Sequence, residues 1–408
     1  MAPKVHQEFV THRKGKKVLH LIINKAIYGL IQSLMLWYKK FRADLEDQGF
    51  EINPYDPCVA NKQVEGTNLT VLWHVDDCKI SHKLKHVVDE FIEWMDIMYS
   101  GENGALTIRR GKIHEFLGMI LDFSIAGVVK IDMKKYVKDM LKDYEEQCRP
   151  VKEADCPWTE RLFTVDTDSP LLPKEEAETF HTFVAKSLYL SKRGRPDIQT
   201  AVSFLCTRVQ EPTKQDQDKL HRMMRFLKKT QEETLNLEAD CLKLQWYWDA
   251  SFAVHQDYRS HTGGALTMGK GVTLPVSTKQ KLNTRSSTEA ELVAVDDGMP
   301  IMLWSKLFLE AQDVPVHENI LYQDNKSAIL LQKNGKASSS KRTRHLNIRY
   351  FFITDQVSKG NITIEYCPTD QMIADYFTKP LTGIKFQLMW NKIMNPLPPQ
   401  CEDTGDSS

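Results

Sequence analysis

The sequence predicts a mixed α/β protein of more than one domain, and three observations carry that reading. The chain has 408 residues, more than one ordinary domain holds. Residues 69–80 read as a strand, a tight acidic turn and a second strand, with an amphipathic helix over 84–98. From about 241 to 380, strand-like runs precede a long helix and then alternate with helices, which is an α/β pattern. A hydrophobic fraction of 41% and a charged fraction of 26% allow a buried core, so disorder is not the default.

The elements follow in order. Residues 1–17 are polar and basic without periodicity. Leu34, Trp37, Phe41 and Leu45 then recur at helical spacing. After the acidic turn and its helix, a strand pair is expected at Phe116–Phe123 and Val128–Ile131, with a helix at Met133–Tyr144. Residues 149–175 carry four prolines and many charges and read as a linker. Helices are expected at Phe180–Leu190, Asp197–Val209 and Lys214–Lys229. Strands follow at Leu242–Trp248, Gly263–Met268 and Val272–Ser277. A long helix from Thr288 contains Gly298 and Pro300, and Pro300 lacks a backbone donor, so a kink or break is expected there. A strand at Ile320–Gln323, a strand at Ile362–Cys367 and a helix at Asp370–Thr378 complete the pattern. The tail from 384 is expected to be polar, and disordered from Asn395.

Composition narrows the function classes. The formal net charge is +0, which excludes a globally basic nucleic-acid binder but not local patches. Residues 1–50 hold nine bases against four acids, and residues 331–360 hold seven against Asp355 alone. One charge run is usually a solvated face. Two basic blocks near acidic candidate sites favour a polyanion partner. The eight cysteines form no CxxC pair, so zinc spacing and a dense disulfide framework are absent and reduced thiols fit best. No apolar run approaches the roughly 18 residues that a membrane span needs.

Two sets of carboxylates invite chemistry. Asp76 and Asp77 follow His74-Val75 at a hairpin tip, where adjacent carboxylates repel and favour a divalent cation. Asp also simply suits turns. In the last segment, Asp249 ends an apolar strand, Glu291 lies in the first turns of the long helix, Asp324 follows a strand, and Asp375 lies on the last helix. Four such groups can converge on one site and hold two Mg²⁺ ions, with Mn²⁺ as the alternative. Taken singly, each acid reads equally as a cap or surface charge, and N-capping competes for Asp324-Asn325.

The words around these acids resemble copia-type retrotransposon Pol polyproteins. Lys25-Ala-Ile-Tyr-Gly-Leu-Ile-Gln32 with Trp37-Tyr38 resembles the family's KALYGLKQ…WY stretch, and Asp56-Pro-Cys58 its DPC. His74-Val-Asp-Asp77 stands where the family has YVDD. Phe116-Leu-Gly118, Lys134-Lys-Tyr-Val137 and Arg195-Pro-Asp-Ile198 match later words in the family's order. Asp249-Ala-Ser251, Ser286-Ser-Thr-Glu-Ala-Glu291, Asp324-Asn325 with Ser327-Ala-Ile329, and Ala374-Asp-Tyr-Phe-Thr-Lys-Pro-Leu381 resemble its ribonuclease H words. The resemblance spans most of residues 18–380.

It implies the C-terminal part of a reverse transcriptase, palm and thumb at 1–148, a linker and helical connection at 149–230, a ribonuclease H-like domain at 231–383 and a tail at 384–408. It implies metal-dependent hydrolysis of RNA in RNA–DNA hybrids, with Asp249, Glu291, Asp324 and Asp375 as catalytic metal ligands. Glu291 is preferred to Glu289 because the family's acid precedes the apolar residue, here Leu292. Asp76 and Asp77 are carried over as the polymerase pair. Polymerase activity is expected to be lost, because the family's third carboxylate comes from a segment upstream of the KALYGL-like stretch. His74 also replaces the family tyrosine. Arg342, Arg344, His345 and Arg349 resemble a basic stretch expected to bind the hybrid, although His345 taken alone reads first as a residue that packs or caps a helix. Thr262 and Arg285 are weaker phosphate candidates. The implied partners are RNA–DNA hybrid and template/primer nucleic acid, and the implied compartment is a cytoplasmic virus-like particle or the nucleus. Oligomeric state is open. A non-catalytic nucleic-acid-binding remnant and an unstable relic remain as alternatives.

Overall fold

A computed structural model describes residues 10–19, 27, 29–101, 104–240, 242–334 and 347–398. The chain is a mixed α/β protein of two compact units, residues 1–105 and 106–408. Among the described residues, no helix is long and apolar enough to cross a membrane.

In the first unit, the start that looks irregular in sequence contains a hairpin, β1 (Val10–Arg13) and β2 (Lys16–Leu19). Helix α1 (Ile31–Asp47) buries Phe41 and Leu45, the later half of its predicted apolar stripe. An antiparallel sheet runs in order β3 (Glu51–Ile52), β4 (Val59–Val64), β5 (Thr67–His74), β6 (Asp77–Ser81). Helix α2 (Lys85–Tyr99) buries Val87, Val88, Phe91 and Met95 at helical spacing.

Among the described residues, the second unit holds two five-stranded sheets. One joins β7 (Ile113–Phe116), β8 (Met119–Asp122), β9 (Val128–Asp132), β10 (Leu235–Ala239) and β13 (Gly269–Lys270). The single strand expected over Phe116–Phe123 is a hairpin. Leu117 and Gly118 both have positive φ, so the chain reverses there. The other sheet runs β14 (Leu274–Lys279), β12 (His261–Thr267), β11 (Lys243–Ser251), β15 (Glu318–Gln323), β16 (Thr363–Tyr366), with β11, β15 and β16 parallel.

Helices α3 (Lys134–Gln147), α4 (Lys174–Ser191), α5 (Gln199–Cys206) and α6 (Lys214–Lys229) form a helical layer, with a 3-10 turn at Pro196–Ile198 before α5. Thr213 and Asp216 close a reciprocal capping box on α6. The proline-rich stretch expected as a linker has no helix or extended strand before α4 starts at Lys174, but it is packed. Val151, Cys156, Trp158, Leu162 and Phe163 are buried in the same core as α3–α6, and Trp158 donates to the Leu381 carbonyl at 2.7 Å.

Helix α7 (Ser287–Glu310) runs on through Pro300, where the sequence predicts a kink or break. Its buried residues continue across the proline as Val295, Met299 and Met302, packed with Trp246 and Trp248. That packing outweighs the lost backbone bond. Gly298 permits the close approach, since a Cβ there would lie 2.4 Å from the Trp248 ring.

Helices α8 (Lys326–Asn334) and α9 (Asn347–Ser358) follow β15. The helix expected at Asp370–Thr378 is shorter, α10 (Asp375–Thr378). The tail expected to be polar from 384 begins instead with helix α11 (Gly383–Met394). Phe386, Met389, Trp390, Ile393 and Met394 recur at helical spacing and are buried, so this segment is core.

Candidate metal centre and the acidic hairpin

β11 and β15 lie side by side in parallel, with Tyr247 opposite Tyr322. Two residues further on, Asp249 faces into the sheet end and Asp324 leaves β15, so the two carboxylates are neighbours. Gly263 stands opposite Asp249 on β12. A Cβ at Gly263 would lie 2.5 Å from the Thr378 methyl and 2.8 Å from the Ala374 carbonyl. Its absence lets α10 close onto the sheet and bring Asp375 to Asp249. Carboxylate oxygens of Asp249, Asp324 and Asp375 all lie within 4.8 Å of one another. Asp249 and Asp375 are buried and Asp324 is half-buried.

Glu291 is buried on the first turns of α7 and stands beside this group. The Gln323 amide donates to Glu291 Oε2 at 3.3 Å. Burial, then Asp249 and Asp324, push the Glu291 carboxyl well above its usual range. Burial likewise raises Asp249, with Lys379 opposing and Asp375 adding to the rise. A buried cluster of acids whose charged forms are disfavoured is a donor set suited to a hard divalent cation. Asp249, Asp324 and Asp375 are the residues that could hold one, with Glu291 adjacent.

The rival assignments within this region find structural roles. Glu289 Oε2 accepts from the Arg285 backbone at 2.8 Å, and the Ser286 hydroxyl, the N-cap of α7, accepts from the Glu289 backbone at 3.2 Å, so Glu289 is tied into the start of the helix. Asn325, not Asp324, caps α8, with its Oδ1 accepting from Ala328 N at 3.1 Å. Asp324 Oδ2 accepts instead from the Thr369 hydroxyl at 3.0 Å. Thr262, a weak phosphate candidate in sequence, is fully buried and accepts from Gln280 at 3.0 Å, out of reach of a ligand phosphate. Arg285 is exposed. Arg342, Arg344 and His345 lie outside the described residues. Arg349 falls within α9, and its side chain is also outside them.

Three residues of the site were not read from sequence. Gln323 is fully buried. Its Oε1 accepts from the backbones of Asp324 and Asn325 at 2.9 and 3.0 Å, while its amide holds Glu291, so one side chain sets two acids. Lys379 Nζ lies 3.2 Å from Asp249 Oδ2 and also pairs with Asp375 Oδ1. Lys385 Nζ lies 2.6 Å from Asp375 Oδ2. Burial lowers the Lys379 pKa, but Asp249 and Asp375 outweigh it and the net shift is upward. The spacing of Lys379 four residues after Asp375 was the available signal.

Asp76 and Asp77 sit in the first unit, exposed at the turn between β5 and β6, where His74 pairs with Asp77. Val75 has φ 58°, which is strained for a β-branched residue, and the Trp37 indole donates to its carbonyl. Burial, then the two acids, raise the thiol of Cys78 to about 12. Among the described residues, no third acid, histidine or cysteine joins Asp76 and Asp77 in a metal-sized group.

Known proteins resemble both halves. The reverse transcriptase (RNA-dependent DNA polymerase) family profile matches residues 5–152. A Retrovirus-related Pol polyprotein from transposon TNT 1-94 of Nicotiana tabacum is 28% identical over 92% of this chain and 28% of its own length. The RE1 counterpart of Arabidopsis thaliana is 28% identical over 91% and 25%, and the transposon Ty1-NL2 Gag-Pol polyprotein of Saccharomyces cerevisiae 25% identical over 91% and 22%. The chain thus spans about a quarter of the length of these curated relatives. The prototype foamy virus protease-reverse transcriptase crystal structure aligns over 93% of this chain and 43% of its own at 14% identity. Its TM-score of 0.25 is too low to equate the folds. Residues 5–152 thus carry a reverse transcriptase domain, and with the words in order along the sequence the chain is similar over nearly its full length to copia-type retrotransposon Pol polyproteins.

Proposed function

We propose that this protein cuts the RNA strand of RNA–DNA hybrids, using Asp249, Glu291, Asp324 and Asp375 as a divalent-cation site. The observation that carries the reading is the convergence of three carboxylates from two parallel strands and a separate helix, with oxygens within 4.8 Å, beside a fourth buried acid. Mg²⁺ fits the all-oxygen donor set, and Mn²⁺ is the alternative. When bound, such ions supply a more acidic water and charge stabilisation at a leaving oxygen. The protein's own groups do the rest. Gln323 fixes the orientation of Glu291 and the start of the Asp324 loop. Thr369 holds Asp324 Oδ2. Thr378 donates to Asp249 Oδ2 and so fixes its rotamer.

The functional division along the chain is palm and thumb over 1–148, connection over 149–230 and nuclease over 231–383, followed by the buried helix α11. Arg342, Arg344, His345 and Arg349 are assigned to the hybrid's phosphates and 2′-hydroxyl groups. By ancestry the first part is an RNA-directed DNA polymerase acting on template/primer nucleic acid. We read it as inactive in polymerisation, because Asp76 and Asp77 lack a third partner among the described residues and His74 replaces the family tyrosine. The compartment we assign is a cytoplasmic particle.

The test is cleavage of a labelled RNA–DNA hybrid by the purified chain with Mg²⁺, beside Asp324→Asn. Cleavage that falls at least about a hundredfold in the variant supports the assignment. A folded protein that binds the hybrid without cutting it would be a binding remnant, a reading favoured by the two lysines paired with the acids.

A further inference from the structure

Asp249 and Asp375 are buried carboxylates that touch cations of the chain itself. Both oxygens of Asp375 are engaged, Oδ1 by Lys379 and Oδ2 by Lys385, and Lys379 also reaches Asp249 Oδ2. Neither ammonium forms an ion pair with Asp324 or Glu291 among the described residues. The two carboxylates are at most 3% exposed, while the lysine side chains are 38% and 42% exposed. The acids are therefore fixed, and the lysines have a path to solvent.

On the reading above, that these acids hold divalent cations, we propose that Lys379 and Lys385 compete with the metal for the same oxygens. Metal loading is then coupled to release of Lys379 from Asp249 and Asp375, and of Lys385 from Asp375.

The physics is a contest between two kinds of cation at one low-dielectric site. Without compensation, Asp249, Asp324, Asp375 and Glu291 would repel one another at close range. Two ammonium groups relieve that repulsion and keep the cluster folded. A divalent cation offers twice the charge of one ammonium and binds carboxylate oxygen more closely than an N–H donor does. It needs the oxygens that the lysines hold. Both lysines are tethered beside the acids, Lys379 directly after α10 and Lys385 in the first turn of α11, so their local concentration is high and independent of the solution. Long flexible stems let each head swing outward while the acids stay in place. The affinity of the site for metal is thus set lower than its carboxylates alone would give, and the metal-free protein is more stable than four buried acids would allow.

The experiment compares the full chain with Lys379→Gln, Lys379→Arg and Lys385→Gln. Mn²⁺ binding is measured by calorimetric titration at one pH, and thermal melting is followed with and without Mn²⁺. Lys379→Gln should melt lower than wild type without metal and bind Mn²⁺ about tenfold or more tightly. Lys379→Arg should bind like wild type, because it keeps the charge. Lys385→Gln should move the same way by a smaller factor, and it carries the test if Lys379→Gln does not fold. Equal or weaker Mn²⁺ binding by the folded Gln variants, with wild type binding normally, would overturn the competition and leave the metal site standing. No Mn²⁺ binding by any of the folded proteins would overturn both.

Discussion

His255 and His261 are buried and touch, with His255 Nε2 3.0 Å from His261 Nδ1. The chain continues from His261 Nε2 to the Ser277 hydroxyl at 2.7 Å, and Ser277 donates to the Phe377 carbonyl at 2.8 Å. Ser277 has one proton, so it must accept from His261, which in turn accepts from His255. Both rings are neutral in this arrangement. Burial, then Lys279, lowers His255 to about 4, and burial, then His255, lowers His261 further below its ordinary value. Folded values below the unfolded value of about 6.5 mean that the unfolded chain takes up protons first. The stability these rings contribute is complete above pH 6.5 and is lost as pH falls towards 4. Urea midpoints should therefore drop between pH 7 and pH 5, and the drop should be smaller in a His255→Gln, His261→Gln double variant. Parallel curves for the two proteins would refute this.

Among elements, the junction between the 3-10 turn, α6 and α11 is held by charge in a dry setting. Arg195 and Asp197 are buried and pair at 2.8 Å. Arg195 also donates to the Thr230 carbonyl at 3.0 Å, and the Trp390 indole donates to Asp197 Oδ2 at 3.0 Å. Removing one partner leaves an uncompensated buried charge, so Arg195→Met should cost about 3–5 kcal/mol in urea unfolding. A loss below about 1 kcal/mol would show that Asp197 is satisfied without it. Sequence patterns read most elements correctly where one face is apolar, as in α2, α3, α6 and β15. They failed where tertiary packing decides. Pro300 looked like a break because its N–H is missing, but the Trp246 and Trp248 rings packed under α7 carry the helix past it. The turn at Leu117-Gly118 was hidden inside an apolar run. Helix α11 was legible in the spacing of Phe386, Met389, Trp390 and Ile393 but was masked by the polar residues that follow it.

At the scale of the whole molecule, the second unit is closed by its ends. Strand β9 near its start pairs with β10 more than a hundred residues later, and Val272 donates to the Ile393 carbonyl at 3.0 Å. Phe386 stacks on Tyr376 at 5.5 Å, next to Asp375, and Thr200 on α5 donates to the Tyr376 carbonyl. Five large apolar side chains of α11 are buried, and each contributes about 1.5–3 kcal/mol, so together they amount to roughly 10 kcal/mol, the order of a whole domain's stability. A chain stopped after Thr382 should lose its cooperative urea transition in this unit, and a retained sharp transition would disprove the dependence. The four acids were picked out in the sequence by the resemblance of the words around them, since each taken singly reads as a cap or a surface charge. Gln323, Lys379 and Lys385 were not, because their roles exist only once β15, α10 and α11 meet. The latch made by α11 also orders events in time. A ribosome that has just added Asp375 has supplied all four acids, yet the helix that carries the last of them has no seat until Trp390 and Ile393 emerge. A premature stop in that short interval yields a chain that carries every one of the four acids but lacks the helix on which Tyr376, next to Asp375, is packed.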